Sequence, residues 1–261
     1  MIGIFDSGLG GLTAVKQIHR LMPGEDLIYF GDTGRVPYGT RSRQTIIQYA
    51  KQDVAFLNSM GVDAILVACG TVSTTALSIL QKESKIPVIG VVEPACRAAA
   101  AHTQSGSVAV IGTVATIRSG AFPNMLKNMC PSLQVYEQAC PLFVPLVENG
   151  VIDRDDPIAR LAVERYLMRF KGSGVDTMIL GCTHYPLLAE VIADILPGIR
   201  LINTGYEAAK ALCEGRVAEG TGTTRYFVSD DPEMFIASAS RFLGEDVKGQ
   251  VEYVDIGAYY E

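Results

Sequence analysis

Short apolar runs alternate along this chain with longer stretches in which apolar positions recur every three or four residues, the pattern of strands joined by crossover helices in a parallel sheet. The runs predict strands at 2–5, 27–31, 64–69, 88–92, 108–112, 178–182, 200–203 and 225–229. Between them, 45–60 and 160–171 carry the helical period. One stretch is written twice. "GVDAILVACGT" at 61–71 returns as "GVDTMILGCTH" at 174–184, and each copy reaches a cysteine, Cys69 or Cys182, eight residues after its first glycine. The same offset of 113 carries Val88 and Ile89 onto Leu201 and Ile202, so strand, cysteine, helix and next strand recur in register. This repeat predicts an α/β fold of two pseudo-symmetric domains, each a parallel sheet flanked by helices, with the site in the cleft between them. The domains expected are 1–93 plus 206–261, and 94–205.

Composition narrows the use of such a fold. The chain has 261 residues, 48% of them hydrophobic, enough to bury a substantial core. A net charge of -6 leaves no electrostatic footprint for phosphate backbones, so no nucleic-acid partner is expected. Mean hydropathy is +0.23. Even so, Gly, Pro or charge interrupts the apolar runs before the roughly 20 residues a membrane helix needs, so no membrane partner is expected. "MIGIFDSGLGG" lacks a basic start and places Asp6 where a signal peptide is apolar, which points to a cytoplasmic protein. The six cysteines form no C-x-x-C pair and read as free thiols. Cys96, Cys130, Cys140 and Cys213 are assigned as small buried hydrophobes.

Cys69 and Cys182 stand apart because residue type, spacing and predicted place coincide. Both end a strand, and in parallel sheets ligands sit beyond the carboxyl ends of strands. Two thiols across a cleft could form a redox pair, or Cys182 and His184 could contribute to a metal site, although alternate residues after a strand rarely converge on one centre. A third use matches the symmetry. Moving a proton from one face of a carbon to the other takes a base on each side, and the reverse reaction exchanges their roles. The N-terminal "FDSGLGGLTAV" runs from a strand through a glycine-rich turn into a helix, whose N–H groups and dipole can hold an anion. Thr13 stands where a dinucleotide fingerprint has its third glycine, and "GRVPYGTR" has no Walker lysine, so a carboxylate is the better anion than a nucleotide phosphate. The alternative is a tight turn that only packs helix on strand.

In chain order, "GIFDSGLGGLT", "YFGDTGRVPYGTRS", "VIGVVEP", "IGTVATIRSG", "CPLFVPLVENG" and "LGCTHYPLL" resemble the signature segments of bacterial glutamate racemases. The resemblance implies a racemase of two α/β domains, working without cofactor or metal, that interconverts L- and D-glutamate and supplies D-glutamate for peptidoglycan. It also implies that Cys69 and Cys182 are the catalytic acid/bases, Cys182 accepting the proton from L-glutamate and Cys69 from D-glutamate. Asp6 and His184 stand where the family places polar groups that assist the thiols, and Glu148 matches a further carboxylate lining the site. Ser7, Tyr38, Gly39, Thr71 and Thr183 match substrate-holding positions, to which Gly70, Thr113 and Thr116 are added. One departure matters. The family commonly reads Cys-Asn-Thr where this chain reads Cys69-Gly70-Thr71, so a substrate-facing amide is missing, and Gly70→Asn is expected to change KM more than kcat. Asn203 and Thr204 in "LINTG" depart more mildly from Asp and Ser. Alternatives are a racemase of aspartate or another acidic amino acid, a decarboxylase needing one proton donor, or a non-catalytic protein that binds an acidic metabolite. A homodimer is expected from general frequency.

Overall fold

The computed structural model describes residues 1–218, 220–247 and 251–259, so the end of the expected first domain at 261 lies outside the described residues. Ten strands follow one another: β1 (Ile2–Asp6), β2 (Leu27–Gly31), β3 (Ala64–Val67), β4 (Val88–Gly90), β5 (Ser107–Gly112), β6 (Gln134–Ala139), β7 (Thr177–Leu180), β8 (Arg200–Asn203), β9 (Thr224–Val228) and β10 (Val251–Tyr253). They form a six-stranded sheet in the order β10-β9-β2-β1-β3-β4 and a four-stranded sheet in the order β6-β5-β7-β8. Every pairing is parallel. The second sheet therefore repeats the β2-β1-β3-β4 order of the first. Register repeats too: Ile65 lies opposite Val88, and Met178 opposite Leu201, the same pairing displaced by 113 positions.

Parallel strands covered on both faces are apolar throughout, and β1, β3 and β7 are fully buried. Alternation along each strand sorts its side chains between two layers. Ile2, Ile4 and Leu66 pack with Leu12, Val15 and Ile18 of α1 (Leu12–Leu21), whereas Phe5, Ile65 and Val67 pack with Ile46, Phe56 and Leu57 of α2 (Arg43–Ser59). α2 starts two residues before the sequence pattern predicts, because Ser42 caps it by accepting the Thr45 N–H at 3.2 Å. The helix expected at 160–171 occupies Pro157–Leu167 instead. Asp156 caps its start, proline takes the first helical position, and a 3-10 turn at Met168–Phe170 ends it.

Two strands escape the hydrophobic pattern, β6 and β10, and both lie at sheet edges. An edge strand has one protected side, so "QVYEQA" of β6 carries polar residues and β10 is three residues long. The strands expected at 64–69 and 178–182 stop at Val67 and Leu180, which places each cysteine two residues beyond its strand. Likewise 88–92 ends at Gly90, where the helix Val92–His102 is about to start. Among the described residues no helix is long and apolar enough to cross a membrane.

Candidate active site

Loops from the carboxyl ends of six strands meet around a cleft of about 330 Å³. Ser7 and Gly8 follow β1, residues 36–40 follow β2, and Cys69, Gly70 and Thr71 follow β3. From the other sheet, Thr113 and Val114 follow β5, Cys140 and Pro141 follow β6, and Gly181 to Tyr185 follow β7. Each strand contributing to one wall has its counterpart contributing to the other. Two further hollows, one beside α2 and one beside β4, contain neither Cys69 nor Cys182.

Cys69 occupies the cap position of α3 (Gly70–Thr75) and is 5% exposed. Its Sγ donates to Ser7 Oγ at 3.5 Å. Burial, reinforced by the Asp6 charge, pushes the thiol up to about 12, against the smaller opposing pull of Ser7. Asp6 lies behind the cleft wall, fully buried, and accepts the Gly8 N–H at 3.0 Å and the Thr183 hydroxyl at 3.5 Å. Burial raises its carboxyl, while His184 and the N–H groups of Gly11 and Gly8 act in the other direction. The anion gathered by the glycine-rich turn is thus the chain's own Asp6.

Cys182 is 7% exposed, and no α-helix starts beside it: the segment continues through His184 into a 3-10 turn at Tyr185–Leu188. Its Sγ lies 3.9 Å from His184 Nδ1, and His184 Nε2 lies 3.1 Å from Glu148 Oε1. Burial alone would lower the imidazole, but hydrogen bonding to Cys182 and Glu148 and the charge of Asp6 lift it to about 10. The sulfur and the carboxylate on either side of His184 both favour its protonated form. The edge of its ring meets Phe242 at 5.3 Å. Glu148 ends the helix Phe143–Glu148 and is 42% exposed at the cleft rim, while Arg241 donates to its carbonyl at 2.6 Å.

Two glycines let the walls meet. A Cβ on Gly10 would come within 2.1 Å of Thr183 Oγ1, and one on Gly70 within 2.4 Å of the Gly181 carbonyl oxygen. The second contact joins the two cysteine loops backbone to backbone. A side chain at Gly70 requires these loops to shift, so Gly70→Asn bears on thiol placement as well as on the KM-led effect expected from the sequence.

Of the residues singled out from sequence, Ser7, Tyr38, Gly39, Cys69, Gly70, Thr71, Thr113, Glu148, Cys182, Thr183 and His184 line this cleft. Thr113 and Thr71 hydroxyls meet across it at 3.3 Å. Thr116 lies outside the lining: it is buried and receives the Thr113 hydroxyl at 3.0 Å. Tyr38 borders the cleft, but its hydroxyl turns to Asp32 and Asp53. Residues not placed in the site from sequence also contribute, among them Val36, Pro37, Thr40, Val144, Pro145 and Cys140. The last was assigned to the core, and it is fully buried as well as bordering the cleft. Among the described residues no group of three or more His, Cys, Asp or Glu side chains is arranged to hold a metal ion.

The profile of the Asp/Glu/Hydantoin racemase family matches residues 5–212. The chain belongs to this racemase family. The glutamate racemase of Geobacter metallireducens is 46% identical over 100% of this chain and 98% of its own. Among solved structures, glutamate racemase from Thermus thermophilus in complex with beta-chloro-D-alanine is 44% identical, with a TM-score of 0.86 over 97% of this chain and 96% of that one. The Francisella tularensis glutamate racemase in complex with D-glutamate is 37% identical, with a TM-score of 0.90 over 99% and 98%. This racemase shares with them the α/β architecture of two parallel sheets flanked by helices.

Proposed function

We propose that this racemase interconverts L- and D-glutamate with Cys69 and Cys182 as its two acid/bases. One observation carries the reading: two thiols, each two residues beyond an equivalent strand, border one cleft from opposite sheets. With L-glutamate, the Cys182 thiolate beside protonated His184 takes the α-proton, and the Cys69 thiol gives its own proton to the opposite face. Cys182 ends protonated and Cys69 ionised, ready for the reverse direction. Asp6, His184 and Glu148 assist the transfers. Ser7, Thr71, Thr113 and Thr183, with the backbone at Tyr38, Gly39 and Gly70, hold the substrate and stabilise charge developing near its carboxylate. Relatives with this fold that bind D-glutamate and beta-chloro-D-alanine support a small amino acid as the occupant.

On this reading the protein needs no cofactor, supplies D-glutamate for peptidoglycan and works in the cytoplasm, and its domains are 1–93 plus 206–261 and 94–205, one sheet lying in each. A homodimer is the assembly that general frequency favours. Circular dichroism of L- and of D-glutamate, each mixed with purified protein after exhaustive dialysis against a chelator, tests the reaction. Both signals should decay to zero. Aspartate or glutamine turning over with a higher kcat/KM than glutamate would overturn the substrate assignment, and zinc-dependent activity would overturn the metal-free one.

A further inference from the structure

The wall formed by residues 36–40 is anchored behind the cleft by a buried polar cluster. Asp32, at the end of β2, and Asp53, on α2, are both 0% exposed. Asp32 accepts from Ser229 Oγ at 2.6 Å, from Arg35 Nε at 2.6 Å and from the Tyr38 hydroxyl. Asp53 accepts from Arg35 Nη2 at 2.9 Å, and its other oxygen lies 3.2 Å from the Tyr38 hydroxyl. The remaining Arg35 nitrogen donates to Gln52 at 2.5 Å, and the guanidinium lies 4.1 Å from the centre of the Tyr49 ring.

Counting hydrogens decides the charge state. A tyrosine hydroxyl has one hydrogen to give, and here two carboxyl oxygens face it. If that hydrogen goes to Asp32, which has the larger set of donors, the 3.2 Å contact with Asp53 pairs two lone pairs with nothing between them. Away from water such a contact is repulsive. Two carboxylates also face one guanidinium, and burial of unmatched charge is strongly unfavourable. Asp6 adds a further negative charge from the end of β1.

We infer that Asp53 is protonated and donates to Tyr38, which donates in turn to ionised Asp32, and that this chain of hydrogen bonds makes Asp32, Arg35, Tyr38 and Asp53 positioning residues for the cleft wall. Burial and the neighbouring Asp32 charge push the Asp53 carboxyl well up, in the same sense. The wall matters to the cleft because its tip crosses to the other sheet: a Cβ on Gly39 would lie 3.5 Å from Thr113 Cβ, and Thr113 in turn meets Thr71. The consequence for glutamate rests on the racemase reading above; the proton on Asp53 does not.

The two carboxyl groups, alike in burial and partners, should respond differently to the same substitution. In Asp53→Asn the amide N–H replaces the acid O–H toward Tyr38 and the amide oxygen still accepts from Arg35, so KM and kcat for glutamate should stay within about twofold. Asp32→Asn leaves one accepting oxygen for three donors and leaves Arg35 unbalanced, so KM should rise about tenfold while kcat changes less. Infrared difference spectra of the whole chain at neutral pH, Asp53→Asn against the natural sequence, should show loss of a protonated-carboxyl band. Persistence of that band, or equal damage from both substitutions, overturns the proposal. The spectrum needs neither turnover nor a folded Asp32→Asn variant, so an inactive protein that loses the band would sink the substrate reading and leave the proton assignment standing.

Discussion

Cys69 and Cys182 each follow a buried four-residue strand by two residues, yet they keep different company. Cys69 caps an α-helix, touches a serine hydroxyl and lies near a carboxylate that opposes its ionisation. Beside Cys182 are a 3-10 turn and an imidazole whose pKa is raised and which is held by a carboxylate at the rim. Repetition of the backbone supplies two equivalent approaches to one cleft. Divergence of the neighbours makes the two approaches chemically unlike. An imidazole lies beside only Cys182, so under the proposed two-base transfer the two sulfurs have unlike neighbours from which to exchange a proton.

The strongest test of this comparison removes either sulfur. Cys69→Ala and Cys182→Ala should each lower racemisation by about 10³-fold or more, because neither half can do the other's work. Each variant should still eliminate chloride from one enantiomer of a 3-chloro analogue, and the two should prefer opposite enantiomers. The same preference in both would break the assignment of one thiol to each face. Next in size is Gly70. Since a Cβ there meets the Gly181 carbonyl at 2.4 Å, Gly70→Ala and Gly70→Asn should both cut kcat, by about 100-fold if the loops part by roughly 1 Å. A change in KM with kcat intact would return the position to substrate contact.

A milder change sharpens the difference between the halves. Glu148→Gln removes the charge that helps keep His184 protonated, and should slow turnover of L-glutamate about tenfold while moving the pH profile downward. Equal pH profiles for variant and natural protein would detach Glu148 from His184. A separate test reads stability rather than turnover. His184, lifted from 6.5 to about 10, stabilises the folded chain in full below 6.5, and that contribution disappears as pH rises through this window. Cys69, held up from 9.0 to about 12, adds its own loss only above 9.0. Urea midpoints followed against pH should therefore begin to fall near 6.5 in the natural protein, but not below about 8 in His184→Asn, where the N-terminal amine, raised from 8.0, starts its own loss.

The repeat was the most legible feature of the chain, because apolar strand, cysteine and next strand must keep their spacing for the same register to form twice. Buried strands announced themselves for the same reason. β6 and β10 did not, since an edge needs less apolar cover and tolerates the Gln and Glu residues of β6. In the cleft, side chains tied to recognisable motifs were found, while those acting through folding back were not. Tyr38 lines the cleft as its motif suggests, but the motif gives no sign that its hydroxyl faces Asp32 and Asp53. Asp53 had left a faint mark: an acid beside Val54 in the buried part of α2, where an apolar residue would be expected. Gly70 reads from sequence as a lost amide, and one-dimensional spacing does not reveal that Gly181 stands opposite it as well.

The turn at the start of α1 has a consequence for inhibition. Helix beginnings commonly attract sulfate, phosphate and similar ions from solution, since their N–H groups lack internal partners. Here the Gly8 N–H already meets Asp6, and the Leu12 and Thr13 N–H groups meet the carbonyls of Leu9 and Gly10. An internal carboxylate occupies the berth that a stray buffer ion would take. Inorganic anions should accordingly be poor competitors at this turn, and the anions that do compete should be those whose two charged ends match the distances across the cleft.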